Sequence, residues 1–143
     1  MRALEPSAEQ LAWERTRSRA ITSDTIWKLD VYRAALFLIH CAREDIRSIP
    51  SLRPADELAD QLLTAAASVS AHIGESYGRW GAADQLKFLG YALGSLRECV
   101  SWYEGSRDRL ASAIVDEREA LIARTRALLL GYIRSLRQRR RNS

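Results

Sequence analysis

Histidine, cysteine, proline and glycine are all scarce in this chain, and each shortage removes a class of chemistry or of fold. There are two histidines, two cysteines, three prolines and seven glycines in 143 residues. Cys41 and Cys99 stand far apart, without the spacing of a metal or redox motif, and read as buried reduced thiols. A di-iron carboxylate site needs Glu three residues before each of two histidines; Phe37 and Val69 occupy those positions ahead of His40 and His72. His40 with Glu44 and His72 with Glu75 read as ordinary polar-face pairs. No Gly-rich phosphate loop, H-E-x-x-H or G-x-S-x-G pattern occurs, and Ser68, Ser70, Ser76 and Ser95 have no evident base and orienter. The expectation is a chain that is not an enzyme and holds no metal or cofactor. Long apolar runs are missing too. The first, Ala34–Ile39, is too short to span a membrane and too far from the N-terminus for a signal peptide. A cytoplasmic protein without a membrane partner is expected. Few prolines and glycines, frequent Ala, Leu and Arg, and no strand-like alternation predict an all-α fold.

What the chain does contain is organised around residues 65–98. Leu86, Leu89, Leu93, Leu96, Val100 and Tyr103 recur at spacings of three and four, the pattern of a helix with one face against its neighbours. Leu58, Leu62, Ala65 or Ala66, Val69 and Ile73 repeat that pattern upstream, on a helix whose later half is rich in Ala, Ser and Gly. Small side chains let two helix axes approach closely. Between the two lie Gly78, Arg79, Trp80 and Gly81, where paired glycines permit a tight turn with positive φ. A helical hairpin is predicted.

The stretch Ser68–Arg79, SVSAHIGESYGR, resembles the second-helix motif of the bacterial four-helix bundle proteins encoded within intervening sequences of 23S ribosomal RNA genes, roughly S-I-P-x-N-I-A-E-G-x-G-R. Ser68, Ile73, Glu75, Gly78 and Arg79 match it. Phe88-Leu89 with Ala92-x-Gly94-Ser95-Leu96-x-Glu98 resembles the family's F-L…A-x-G-S-L-x-E segment. Leu29-x-Val31-Tyr32-x-x-Ala35 resembles its first-helix signature. Ser70, His72 and Ser76 depart from the usual Pro, Asn and Gly. The resemblance covers about residues 24–138 and implies an antiparallel up-down-up-down four-helix bundle that assembles, as related bundle proteins do, into a homopentamer. The accessory proteins of diversity-generating retroelements share this architecture and bind nucleic acid and a reverse transcriptase.

Taken in order, residues 1–22 read as a polar, mobile arm or a short helix that docks only in an assembly. The bundle is expected over 23–138 and a basic tail over 139–143. The first helix is predicted from Ser23 or Asp24 to Arg47 and is apolar almost all round. Phe37 interrupts its polar face of Arg33, His40, Glu44 and Arg47, which makes Phe37 the candidate contact with another copy. The loop Ser48–Pro54 leads to a second helix over 54–77, and a third is expected over 82–109. Asp116 with Glu119 reads as a capping box opening the fourth, which runs to Arg137 on the stripe Ile122, Thr125, Leu129, Tyr132, Ile133 and Leu136.

The net charge of +4 conceals an asymmetry: residues 120–143 carry seven arginines and no acid, so the rest of the chain sums to −3. Arg126, Arg134, Arg137 and Arg141 fall within roughly 80° on a helix and continue into Arg139 and Arg140. These six are the candidate nucleic-acid-binding residues, since guanidinium forks pair well with phosphates; the bland alternative is a solvated tail that complements the helix dipole. No aromatic interleaving is evident, so sequence-tolerant binding is expected. Glu75, Arg79 and Glu98 form a second candidate cluster, either a salt-bridge and capping network at the hinge or a polar site shared between subunits. The functional expectation is a homo-oligomeric scaffold for RNA or DNA; the alternative is a protein–protein adaptor using apolar surface near Phe37 or Trp102.

Overall fold

The computed structural model describes residues 4–49 and 57–142. Those residues form six α-helices and a short 3-10 turn, and no strand occurs among them. The helices are α1 (Ala8–Glu14), α2 (Arg19–Thr22), α3 (Asp30–Ser48), α4 (Glu57–Tyr77), α5 (Ala82–Glu104) and α6 (Ser112–Asn142). The predicted loop at Ser48–Pro54 and the start of the second helix lie mostly outside the described residues.

The four long helices share one core. Each of α3 and α5 packs against both α4 and α6. From α3 the core takes Val31, Ala35, Leu38, Cys41 and Ala42; from α4, Leu62, Ala65, Ala66, Val69 and Ile73, all predicted for that helix, whereas predicted Leu58 is half-buried. The most extensive interface joins α4 to α5, as the small residues of α4 lead one to expect. The seam of α5 is turned from the expected one. Leu89, Ala92, Leu96, Cys99 and Tyr103 are its buried stripe, while Leu86 and Leu93 are half-buried and Val100 is exposed. The small Ala92 and Cys99 in this stripe suit the close approach of α5 to α4.

Several boundaries differ from expectation for local reasons. Asp24 is a cap, but of the 3-10 turn Thr25–Lys28: its carboxylate accepts from the Ile26 amide at 3.0 Å. The extended Leu29 then separates this turn from α3. At the other end of the hairpin α5 stops at Glu104, and Gly105 caps it by donating to the Ser101 carbonyl. A Cβ on Gly105 would stand 3.3 Å from that carbonyl oxygen and 3.5 Å from Leu58, so this end of α5 lies against the start of α4. The last helix opens at Ser112, not at Asp116, and continues through Asn142. Asp116 and Glu119 do not form a capping box; together with Glu104 they gather around Arg107 of the α5–α6 connection. Residues 139–142, expected as part of a tail, are therefore helical.

Residues 4–22 pack on the body of the molecule. Ser7 caps α1 by accepting from the Gln10 amide at 3.1 Å. Trp13 lies over Phe37 and His40 of α3, with ring centroids 5.5 and 5.8 Å apart. Glu14 pairs with Arg33 at 3.1 Å, and Arg124 of α6 donates to buried Gln10. This docking corrects the reading of Phe37 as an exposed contact: it is 3% exposed and covered by the chain's own N-terminal helix.

Candidate functional site

Three polar regions stand out, and the sequence marked two of them. The first is the arginine face of α6. Its buried stripe runs through Val115, Arg118, Ile122, Thr125, Leu129, Ile133 and Leu136, which turns Arg126, Arg134, Arg137 and Arg141 outward, while Arg139 and Arg140 lie beyond the last buried residue; all six are exposed. Arg139 donates to Ser135 at 3.4 Å. Arg126, Arg134, Arg137 and Arg141 make no ion pair with a carboxylate among the described residues. Arg124 does not belong to this face, because it is half-buried and engaged with Gln10. At 31 residues α6 is the longest helix described, roughly 46 Å at 1.5 Å per residue. Its early turns carry Asp116, Glu117 and Glu119 and its later turns carry the arginines, so the helix is strongly polar in charge along its length.

The second region is the hinge, and the structure does not bring Glu75, Arg79 and Glu98 together. Glu75 and Glu98 are exposed. Glu75 approaches His72 at 3.8 Å, and the Arg79 guanidinium lies over the Phe88 ring, 4.4 Å from its centroid. No ion pair joins the three among the described residues. What closes the hinge is uncharged: the Ser76 hydroxyl, fully buried, donates to the Gln85 backbone carbonyl at 2.8 Å, and the Gln85 side-chain Nε2 donates to the Arg79 carbonyl at 3.1 Å. Neither Gly78 nor Gly81 adopts a positive φ, so the turn does not use the freedom that its glycines offer. In the sequence Ser76 stands out as a departure from the family pattern and as a serine without a base, not as a hinge residue.

The third region is a buried triad that the sequence reading missed. The Arg118 fork donates Nε to Oδ2 of Asp45 at 2.8 Å and Nη2 to Oδ1 at 3.0 Å; the Tyr103 hydroxyl donates to the same Oδ2 at 2.7 Å. It ties the end of α3 to the end of α5 and the start of α6. Burial, reinforced by the Asp45 carboxylate, pushes the Tyr103 phenol well above its ordinary range. Burial opposes the charge on Arg118, but its hydrogen bonds to Asp45 outweigh that and raise its pKa. Tyr103 is wholly inaccessible, so the triad is a structural lock and not a group that meets a substrate. Among the described residues no cluster of three or more His, Cys, Asp or Glu side chains is placed to hold a metal ion, and no helix is long and apolar enough to cross a membrane.

Cys41 and Cys99 are both buried and unpaired, and burial pushes each thiol up to about 12. The neutral thiol is thus favoured in the fold, while an unfolded thiol ionises near 9. Their contribution to stability is whole below pH 9 and is lost progressively as pH rises from 9 to 12. Neither should react with an aromatic disulfide reagent at pH 8 until the chain is unfolded by urea. Rapid labelling of the native protein would mean that one of them is accessible.

A family model described as the 23S rRNA-intervening sequence protein matches residues 28–129. The match takes in α3, α4, α5 and the first half of α6, and stops short of five of the six candidate arginines. No curated protein matches the chain.

Proposed function

The chain belongs to the 23S rRNA-intervening sequence protein family, and on that footing we propose that it is a non-enzymatic, homo-oligomeric scaffold that binds nucleic-acid phosphates through the arginine face of α6. The four long helices are taken as an antiparallel up-down-up-down bundle. Contacts at both ends support this: Tyr77, at the end of α4, donates to Thr25, just before α3, at 2.8 Å, and Leu58 of α4 meets Gly105 after α5. A pentamer is the assembly that the resemblance implies, and a cytoplasmic location is proposed beside it.

The observation that carries the phosphate reading is the exposure of all six arginines along one helix from its middle to its end. Weak contacts of this kind, at roughly 10⁻⁴–10⁻⁶ M for nonspecific binding, gain avidity when a ring repeats them. The test is fluorescence anisotropy of labelled RNA and DNA over a salt series, with the Arg126→Gln, Arg134→Gln, Arg137→Gln, Arg141→Gln quadruple variant beside the wild type. Binding should fall steeply with salt. The variant should lose most of the affinity, and its slope in log K against log salt should drop by about three, at about 0.7–0.9 per phosphate contact. Salt-insensitive or absent binding by the folded wild type overturns the reading. It would favour the adaptor alternative, which draws support from a groove of about 610 Å³ between the N-terminal segment and α6, lined by Leu4, Phe37 and Leu121.

A further inference from the structure

The tip between α4 and α5 carries an aromatic residue with no structural duty. Trp80 is 103% exposed, whereas tryptophan is on average a highly buried residue. The backbone around it is bare. A Cβ added at Gly81 would meet nothing within 4 Å, and one at Gly78 only backbone oxygens at 3.9 Å. Both faces of the indole are therefore open to solvent.

The surroundings of Trp80 combine rings with cations. Arg79, its neighbour in sequence, is exposed and stacked on Phe88. Phe88 meets Tyr91 edge-on at 5.7 Å, and Tyr91, 46% exposed, lies 5.5 Å from His72. Tyr77, three residues before Trp80, donates to Thr25 just before α3 at 2.8 Å, and the antiparallel order proposed above brings the last turns of α6, from Tyr132 on, to this same end. Arg134 and Arg137 follow Tyr132 by less than two helical turns. One end of the molecule thus presents open aromatic faces beside the most basic segment of the chain.

We propose that this end is a base-stacking platform for single-stranded nucleic acid, with the indole of Trp80 receiving an unpaired base while the α6 arginines hold the phosphates. This rests on the phosphate-binding reading and sharpens it: a duplex keeps its bases stacked inside and offers Trp80 nothing, whereas a single strand offers a base face to each aromatic side chain. Stacking is indifferent to base identity, since every base has a π-face.

Trp80→Ala separates the two readings. The full-length variant should keep the fold and oligomeric mass of the wild type, because Trp80 packs against nothing. It should bind a labelled single-stranded oligonucleotide about ten-fold more weakly, with the salt slope unchanged and duplex affinity unchanged. Trp80→Phe should restore most of the loss. Equal binding by wild type and Trp80→Ala, with the quadruple arginine variant defective, overturns the platform and leaves the phosphate reading standing. An equal loss on duplex and single strand overturns it as well. So does a change of oligomeric mass in Trp80→Ala, which would place the indole in a contact between copies. If the wild type binds no nucleic acid at all, both readings fall together.

Discussion

Arg118→Met should lower the stability of the fold by about 3–5 kcal/mol, the largest loss expected from a single charged position. The reason is the carboxylate it leaves behind. Asp45 is 5% exposed and accepts three hydrogen bonds, two of them from the Arg118 fork. Without the guanidinium a buried charge keeps one phenol as its partner and no compensating cation. For a chain of this size the melting temperature should fall by roughly 10–20 °C, read by circular dichroism and by urea titration. The triple variant Asp45→Leu, Arg118→Met, Tyr103→Phe should recover most of this loss, because it removes the desolvation cost together with the attraction and leaves no buried phenol unpaired. Tyr103→Phe deletes one hydrogen bond from an otherwise intact pair and should cost about 1–2 kcal/mol. A loss under about 1 kcal/mol in Arg118→Met would mean that water reaches Asp45, contrary to the burial described. The ordering Arg118→Met, then Tyr103→Phe, then the triple variant distinguishes a buried ion pair from a merely well-packed cluster.

Why this triad escaped the sequence is instructive in physical terms. Its members are 58 and 73 residues apart, and helical periodicity sorts charged residues to the surface by default. Yet the signal was present. Asp45 falls in register with Val31, Leu38 and Cys41, and Arg118 with Val115, Ile122 and Thr125, all buried. A charge in the register of a core stripe needs a partner from another helix, and a carboxylate on one stripe with an arginine on another is the simplest such pair. The α4 core, by contrast, was legible position by position because that helix has one clearly apolar face. In α5 two apolar registers overlap, and size favoured the leucines; the buried stripe takes Ala92 and Cys99 in place of Leu93 and Val100. Asp116 and Glu119 have the spacing of a capping box, but spacing does not show that an arginine on the preceding turn claims both carboxylates. The exposed arginines of α6 were legible because no acid interrupts them. The open tip at Trp80 was not, since a lone tryptophan between glycines looks the same whether it folds inward or stands free.

Trp13→Ala should detach α1 without unfolding the long helices. A seven-residue helix is well below the length that holds together alone in water, so α1 exists by virtue of its docking. That docking consists of the Trp13 indole over Phe37 and His40, the Glu14–Arg33 pair and the Gln10–Arg124 contact. Trp13 is half-buried, so removing the indole costs less than the ~3–5 kcal/mol of a full core truncation, about 2–3 kcal/mol. The ion pair, partly solvated, contributes no more than about 1 kcal/mol. The truncation thus removes most of what holds α1, and the loss should appear as local opening. Cleavage by trypsin at Arg15, Arg17 and Arg19 should accelerate by about a hundred-fold, since the protease samples the open population. The melting temperature of the remaining helices should shift by only a few degrees. Phe37 would then be uncovered, and an apolar dye or an increase in oligomeric mass should report it. Unchanged protection from trypsin would show that the ion pair and Gln10 suffice to hold α1. A rise in oligomeric mass, on the other hand, would make α1 a plug over a self-association surface, and would reconcile the apolar face of α3 with its burial inside a single chain.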